Sequence, residues 1–190
     1  MKTRLAPRLG AAAAARLHVR LVENAVRTAC AARCGPVELH ATAPHRLFRR
    51  LGLPVKRQRG RDLGERMHEA LRNALRRFRT AILIGTDCPA LTPADLRRAV
   101  RKLQGGADLV LAPAEDGGYA LIGGRRLSSR IFTSVDWGSG DVLARTLRNA
   151  KEARLRYELL RTVWDVDRPE DLARLRSRPL SSGARRPARR

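Results

Sequence analysis

The sequence predicts an α/β fold in which helices cover both faces of a mainly parallel sheet, giving three layers. The first observation is a set of four short apolar runs, each bounded by turn residues and each long enough for one buried strand. The second is that segments with helical periodicity lie between the runs. The third is the length of 190 residues, which suits one domain with a sizeable core.

The four predicted strands follow glycine or proline breaks or the end of a helical pattern. In chain order they are residues 37–42, 81–85, 108–113 and 119–123. The segment 155–167 is expected to add one or two more. Because helical segments separate the strands, we expect parallel pairing with right-handed crossovers.

Helical periodicity predicts helices over residues 11–34, 63–78 and 141–152, and a further helix that starts at Thr92. Thr92 is a favourable N-cap, and Pro93 would take the first helical position. Pro169 should open a last helix. From about residue 177 the chain consists of Arg, Pro, Ser and Gly, which cannot bury a core. We therefore expect one domain over residues 1–176 and a disordered basic tail over residues 177–190.

Composition excludes several classes of protein. No apolar run approaches the roughly 20 residues that a membrane span needs, and no long apolar segment follows the charged start as in a secretory signal. We expect a cytoplasmic protein with no membrane partner. The three cysteines are too few and too scattered for a disulfide framework. Cys30 and Cys34 lie one helical turn apart but lack further ligands nearby, which favours ordinary packing.

The net charge of +22 raises the possibility of nucleic-acid binding. However, the excess is almost all Arg spread over the whole chain, and aromatic residues make up only 4%, so no stacking surface for single strands is indicated. No zinc-finger spacing or basic zipper region is present. We expect weak, salt-sensitive affinity for polyanions and no specific nucleic-acid partner.

Acidic residues follow three of the predicted strands. Asp87 follows the second strand, Asp116 follows the third, and Asp165 and Asp167 end the strand that contains Val163. Ligands of open α/β sheets bind beyond the carboxyl ends of the strands. The chain has only 18 acidic residues against 40 basic ones, so three acidic loops on one rim indicate a functional site.

These carboxylates suit a hard divalent cation, Mg²⁺ or Mn²⁺. Magnesium takes one or two carboxylates and completes its shell with water and substrate phosphates. Strand alternation would place Asp165 and Asp167 on the same side. Asp95 and Asp171 are better explained as helix caps or turn residues.

The N-terminus contains candidate phosphate-binding residues that would act together with this metal site. Lys2, Thr3 and Arg4 precede a turn at Pro7 and a helix. Cations and backbone amides at the start of a helix favour phosphate. The triplet alone is a weak signal.

Five segments, taken in order, resemble a GT-A-like glycosyltransferase family that is named for arsenosugar biosynthesis and whose genes are often found near radical-SAM enzymes. The segments are Lys2-Thr3-Arg4-Leu5-Ala6-Pro7, Gly60-Arg61-Asp62-Leu63-Gly64-Glu65-Arg66-Met67, Ile84-Gly85-Thr86-Asp87-Cys88-Pro89-Ala90-Leu91, Pro113-Ala114-Glu115-Asp116-Gly117-Gly118-Tyr119 and Asp165-Val166-Asp167-Arg168-Pro169-Glu170-Asp171-Leu172. Trp137, followed by Ser139 and Val142, also resembles a Trp-Ser-Thr-x-x-Val stretch of the family. The resemblance covers residues 2–175 and implies the Rossmann-like fold of nucleotide-diphospho-sugar transferases.

The resemblance implies a role for each of the matching residues. The nucleotide's phosphates would be contacted by Lys2, Thr3 and Arg4. Asp87 would be the metal aspartate, and Asp167, with Asp165 near it, would complete the metal shell. Asp116 would be the catalytic residue on a loop that faces the acceptor. The substrate-binding residues would be Asp62, Arg66, Gly117, Gly118 and Tyr119.

The resemblance also implies a difference at the N-terminus. The family has a buried strand and a glycine-containing loop before the Lys-Thr-Arg triplet, whereas this sequence reaches the triplet directly after Met1. We therefore expect an N-terminally truncated form of the fold. Either the true start lies upstream or this copy is damaged.

The leading functional hypothesis is metal-dependent transfer of a sugar from a nucleotide-diphosphate donor to a small-molecule acceptor. The alternative on the same fold is nucleotidyl transfer, as in guanylyltransferase-like enzymes, in which a phosphate attacks and pyrophosphate leaves. A non-catalytic remnant and a basic nucleic-acid binder complete the set of hypotheses. Donor, acceptor, stereochemistry and oligomeric state stay open.

Overall fold

In the computed structural model of the protein, residues 5–177 are described, apart from the side chain of Arg176. The predicted phosphate-binding residues Lys2, Thr3 and Arg4 lie outside this range, as does the predicted tail beyond Ser177. The helices are α1 (Ala6–Leu9), α2 (Ala11–Ala32), α3 (Arg46–Leu51), α4 (Leu63–Leu75), α5 (Pro93–Gln104), α6 (Val142–Glu152), α7 (Asp171–Ser177) and a 3-10 helix (Ser129–Phe132). The strands are β1 (Leu39–Ala41), β2 (Val55–Arg57), β3 (Ala81–Ile84), β4 (Leu109–Pro113), β5 (Tyr119–Gly124) and β6 (Tyr157–Leu159).

The strands described form two sheets. In the smaller one, β1 and β2 pair in parallel and are connected through α3. In the larger one, the order is β3-β5-β4-β6, with β4 and β6 parallel and β5 antiparallel to both of its neighbours. The α/β class is thus confirmed, but the larger sheet is mixed, so the expectation of a mainly parallel sheet was wrong for β5.

The reversal of β5 follows from the length of the connection before it. Only residues 114–118 separate β4 from β5. A parallel crossover needs about a dozen residues or more, whereas a short loop can close only an antiparallel hairpin. The chain therefore reverses direction between β4 and β5.

Helices cover both faces of the larger sheet, which confirms the three layers. Leu109 and Leu111 of β4 pack with α4, α6 and the 3-10 helix in one apolar cluster. Val110 and Ala112 point to the other face and pack with α5 and the end of α2. All four side chains are fully buried, so β4 is the centre of the core.

Several element boundaries differ from those predicted. Helix α3 and strand β2 were not predicted, because both are short and rich in Arg or Lys. In the segment 155–167, β6 is the single regular strand, and Val163 forms only an isolated bridge with Ala114. Asp165 and Asp167 consequently lie in a loop, so the expectation that strand alternation places them on one side was wrong.

The start of α5 was predicted correctly, and an ion pair between Asp95 and Arg161 stabilises it. Thr92 is the N-cap with Pro93 in the first turn, and Thr92 and Asp95 form a reciprocal capping box. Arg161 donates from Nε to Asp95 Oδ1 at 3.0 Å and from Nη2 to Asp95 Oδ2 at 2.7 Å. Burial alone would raise the pKa of Asp95, but the hydrogen bonds from Arg161 and Thr92 outweigh it and hold that pKa below its usual value.

We expect Asp95→Asn to lower the free energy of unfolding at pH 7 by about 2 kcal/mol, since the pair is buried on the Asp95 side and half exposed on the Arg161 side. The carboxylate's stabilisation is complete above about pH 4, the ordinary aspartate pKa, and is lost as the pH falls through the lower pKa of the folded state. Urea unfolding of both proteins at pH 7 and pH 3 checks this. A difference of equal size at both pH values would contradict it.

No helix within residues 5–177 has the combination of length and hydrophobicity that a bilayer-spanning segment requires.

Candidate active site

The topology brings three predicted acidic loops to one edge of the larger sheet. Strands β3 and β4 both run antiparallel to β5 and so point the same way, and β6 is parallel to β4. The carboxyl ends of these strands therefore share an edge. Asp87 follows β3, Asp116 follows β4, and Asp165 follows the chain that leaves β6. The backbone of the structure therefore brings the three acidic loops to one edge of the sheet, as predicted.

The segment 163–166 crosses this edge and joins the other two loops. Val163 donates its amide to the Pro113 carbonyl at 2.9 Å, and Glu115 donates its amide to the Val163 carbonyl at 3.1 Å. Further along, the amide of Val166 donates to the carbonyl of Asp87 at 2.9 Å. Val166 lies between Asp165 and Asp167 in sequence, so the backbone that carries these two carboxylates is fixed to the residue that carries the third.

Cys88 makes a second connection between the same two loops. Its Sγ donates to the carbonyl oxygen of Trp164 at 2.9 Å, and the side chain is buried. Burial raises the pKa of the Cys88 thiol to about 12. The thiol therefore stays protonated, which suits a structural donor and not a nucleophile.

The carboxylates at this edge fit a metal that is shared with a substrate. Among the described residues, no three His, Cys, Asp or Glu side chains lie close enough to hold a metal by themselves. A Mg²⁺ or Mn²⁺ ion held by one or two carboxylates, with phosphate oxygens and water completing its shell, does not need such a trio. Asp87, Asp165 and Asp167 are all half-buried oxygen donors of the required type.

The loop after β4 is a tight turn around Asp116. Its carboxylate Oδ1 accepts from the amide of Gly118 at 2.9 Å, while Oδ2 makes no hydrogen bond with the described residues. Gly117 has a φ of 86°, and a Cβ at this position would overlap the carbonyl oxygen of Gly140. The amide of Leu143 donates to the Gly117 carbonyl at 2.9 Å, which fixes the turn to the start of α6. Gly117 is therefore required by its conformation and by its close contact.

Tyr119 and Arg174 flank this loop. The ring of Tyr119 packs in the apolar cluster that contains Phe132, and burial raises the pKa of its phenol well above the usual value. On the other side, Arg174 of α7 pairs with Glu115 and lies over the Trp164 ring, 5.7 Å from its centroid. Helix α7 thus contacts two of the loops at this edge.

The predicted substrate residues before α4 lie in a separate tight turn. Asp62 is the N-cap of α4, and its Oδ1 accepts from the amide of Glu65 at 2.8 Å. Arg66 donates from Nε to the Gly60 carbonyl at 3.1 Å. Gly60 has a φ of 135°, and a Cβ there would lie 2.7 Å from the Arg66 amide. The structure therefore shows a capping role for Asp62, while its predicted substrate contact stays a prediction.

The start of the described chain packs beside the acidic edge. Leu5, which directly follows Arg4 in sequence, is fully buried in a cluster with Leu21 and Val166. The backbone of Val166 also holds Asp87. The N-terminal helices and the segment that carries Asp165 and Asp167 therefore share one set of apolar contacts.

A cationic groove that was not predicted from the sequence lies between the smaller sheet and α4. This groove is a cavity of ≈ 420 Å³ whose basic lining consists of Lys56, Arg57, Arg59, Arg66 and Arg77. The signal in the sequence was the basic run 56–59. In a chain with 40 basic residues such a run does not stand out, so only the fold reveals that these side chains surround a cavity.

Solved structures share this architecture. A provisionally assigned nucleotide-diphospho-sugar transferase from Desulfovibrio desulfuricans G20 is 29% identical, with a TM-score of 0.84 over 96% of this chain and 83% of the other. CMP:2-keto-3-deoxy-manno-octonic acid synthetase is 11% identical, with a TM-score of 0.60 over 83% and 86%. Rv0371c from Mycobacterium tuberculosis H37Rv is 19% identical, with a TM-score of 0.51 over 83% and 86%. The last two show the fold alone.

No curated protein matches the sequence significantly. A family profile does match, over residues 11–139, and its description is "Uncharacterized protein conserved in bacteria (DUF2064)". This range contains α2 to β5, Asp87 and the Asp116 turn. Since the match spans more than half of the chain, the protein belongs to the DUF2064 family.

Proposed function

We propose that the protein is a metal-dependent glycosyltransferase that uses a nucleotide-diphosphate sugar as donor. The observation that carries this proposal is the backbone link between the Asp87 loop and the segment 165–167. The Val166 amide and the Cys88 thiol hold these two loops together, so their carboxylates come from one connected structure at the edge where α/β sheets bind ligands.

The predicted metal-binding and phosphate-binding residues each have a place in this proposal. Asp87, together with Asp165 or Asp167, would hold a divalent metal between protein and diphosphate. The bound metal would supply positive charge to the departing diphosphate. Lys2, Thr3 and Arg4 are assigned to the phosphates by the resemblance of their segment to the family's Lys-Thr-Arg triplet.

Asp116 is the proposed catalytic residue. Its Oδ1 is occupied by the Gly118 amide, which fixes the carboxylate, and its Oδ2 can accept from an acceptor hydroxyl. In the reaction, the acceptor oxygen forms a bond to the anomeric carbon, the bond to the diphosphate oxygen breaks, and the hydroxyl proton passes to Asp116. The turn of Gly117 and Gly118 would let the acceptor approach the backbone closely.

The solved structures support this class of reaction. The Desulfovibrio desulfuricans protein carries a provisional assignment as a nucleotide-diphospho-sugar transferase. Rv0371c was solved in complex with manganese, which is consistent with a divalent metal on this fold. The likeness to the family named for arsenosugar biosynthesis remains part of the proposal.

Nucleotidyl transfer is the second candidate, because CMP:2-keto-3-deoxy-manno-octonic acid synthetase, solved with CTP, shares the fold. The product distinguishes the two. We expect the protein with Mn²⁺ and a panel of nucleotide sugars to release a nucleoside diphosphate, detected by phosphorus NMR. With nucleoside triphosphates and sugar phosphates it should release no pyrophosphate.

Release of pyrophosphate from the second panel would contradict glycosyl transfer and support nucleotidyl transfer. Turnover in neither panel, together with absent nucleotide binding, would contradict both. The matched control is the same assay with EDTA, which should abolish release in either case.

A further inference from the structure

The cationic groove lies apart from the acidic edge. Its walls are β1, β2 and the polar face of α4, while the apolar face of α4, with Met67 and Leu71, packs on the larger sheet. A smaller cavity of ≈ 270 Å³ lies next to it and shares Arg59 and Glu69. The groove has the volume of a small-molecule site, which is typically about 300–1,000 Å³.

The positive charge in the groove is only partly neutralised by the protein. Within residues 5–177, Lys56, Arg57, Arg59 and Arg66 form no ion pair. Arg66 does donate from Nε to Gly60, but a carbonyl removes no charge. Four cations from a strand, a loop and a helix therefore line one cavity without an acidic partner.

The two carboxylates of the groove interact with residues other than these four cations. Glu38 accepts from Arg77 at 3.1 Å and lies 3.2 Å from His40. Glu69 accepts from Asn73 at 2.9 Å and pairs with Arg72. Burial raises the pKa of Glu38, but its hydrogen bonds outweigh this and lower that pKa, so it stays ionised and paired. Neither carboxylate is left to balance the four cations.

We propose that this groove binds the phosphate group of a small molecule, at a site distinct from the metal site. A phosphate monoester carries close to two negative charges and three acceptor oxygens, which matches several unpaired Arg and Lys donors. The cavity volume of ≈ 420 Å³ is that of a site for a small molecule. Arg59 lies at the boundary of the two cavities and is placed to contact the phosphate from either.

Inorganic phosphate is the probe for the test. Calorimetry in EDTA at constant ionic strength should show saturable binding to the wild-type protein. Lys56→Gln with Arg59→Gln should weaken it by about tenfold or more, because two charged donors are lost. Both side chains are exposed and form no hydrogen bond within residues 5–177, so the melting curve should not change.

The matched control is Arg145→Gln with Arg148→Gln, two exposed residues of α6 outside the groove. It removes the same charge and should change phosphate affinity by less than about twofold. An equal loss in both double variants, or no saturable binding to the wild type, would overturn the proposal. A DNA duplex that displaces phosphate and loses affinity only in the groove variant would also overturn it, in favour of a nucleic-acid site.

The test is independent of the proposed glycosyltransferase activity. Metal and nucleotide are absent from it, so the groove result stands even if no nucleotide binds. Conversely, the groove variant should keep its metal-dependent affinity for a nucleoside diphosphate.

Discussion

Asp87→Asn should weaken the metal-dependent binding of a nucleoside diphosphate by about 100-fold or more. Replacement of residues that merely support a metal ligand already costs about 10–100-fold in metal affinity, so loss of a ligand should cost at least as much. Asn keeps the shape of the side chain, and the carbonyl of residue 87 can still accept from Val166. Calorimetry with Mn²⁺ and UDP or GDP, with and without EDTA, measures the effect.

Glu152→Gln is the control for this substitution. It also replaces a carboxylate by an amide, but at the exposed far end of α6. It should leave nucleotide affinity unchanged. Metal-dependent binding that survives Asp87→Asn at wild-type strength would remove Asp87 from the metal site and would leave the proposed function without its main support.

Gly117→Ala should lower the free energy of unfolding by about 3 kcal/mol or more. The positive φ of Gly117 costs an L-residue about 1–2 kcal/mol. In addition, the new Cβ would overlap the carbonyl oxygen of Gly140 and lie 2.6 Å from its carbonyl carbon, so the loop between the 3-10 helix and α6 must move. Urea unfolding followed by circular dichroism measures the change.

Gly138→Ala separates the effect of the positive φ from the effect of the close contact. Gly138 also has a positive φ, of 111°, but a Cβ there meets no atom within 4 Å. It should cost only the conformational strain, about 1–2 kcal/mol. If the two variants unfold alike, the contact with Gly140 contributes nothing, and Gly117 is required only for its conformation.

Much of the larger sheet could be predicted because β4 and β5 are buried on both faces and β3 is at least half-buried, so these strands are largely apolar. Residues 108–113 and 81–85 were recognisable for this reason. In the smaller sheet, β1 lies within the predicted strand 37–42, whereas β2 could not be found in this way, since its residues are all exposed. The antiparallel direction of β5 was readable from the five-residue connection before it, a length signal that the apolar pattern obscured.

The candidate residues of the site could be selected from the sequence, but the backbone bonds that connect them could not. The rule that ligands bind at carboxyl ends of strands selected Asp87 and Asp116 from the sequence. The bond from Val166 to Asp87 joins residues far apart in the chain, and no local pattern encodes it. Likewise, Asp165 and Asp167 are placed by this bond and not by a strand, which is why alternation failed there.

Val166 belongs to the hydrophobic core and to the site at once. Its side chain is fully buried with Leu5 and Leu21, while its amide holds the loop of Asp87. A change in side-chain volume at any of these three positions would shift a backbone atom that sets the spacing of the carboxylates. In the proposed site, repacking this corner of the protein would therefore also alter ligand affinity, which couples stability to the proposed activity at Val166.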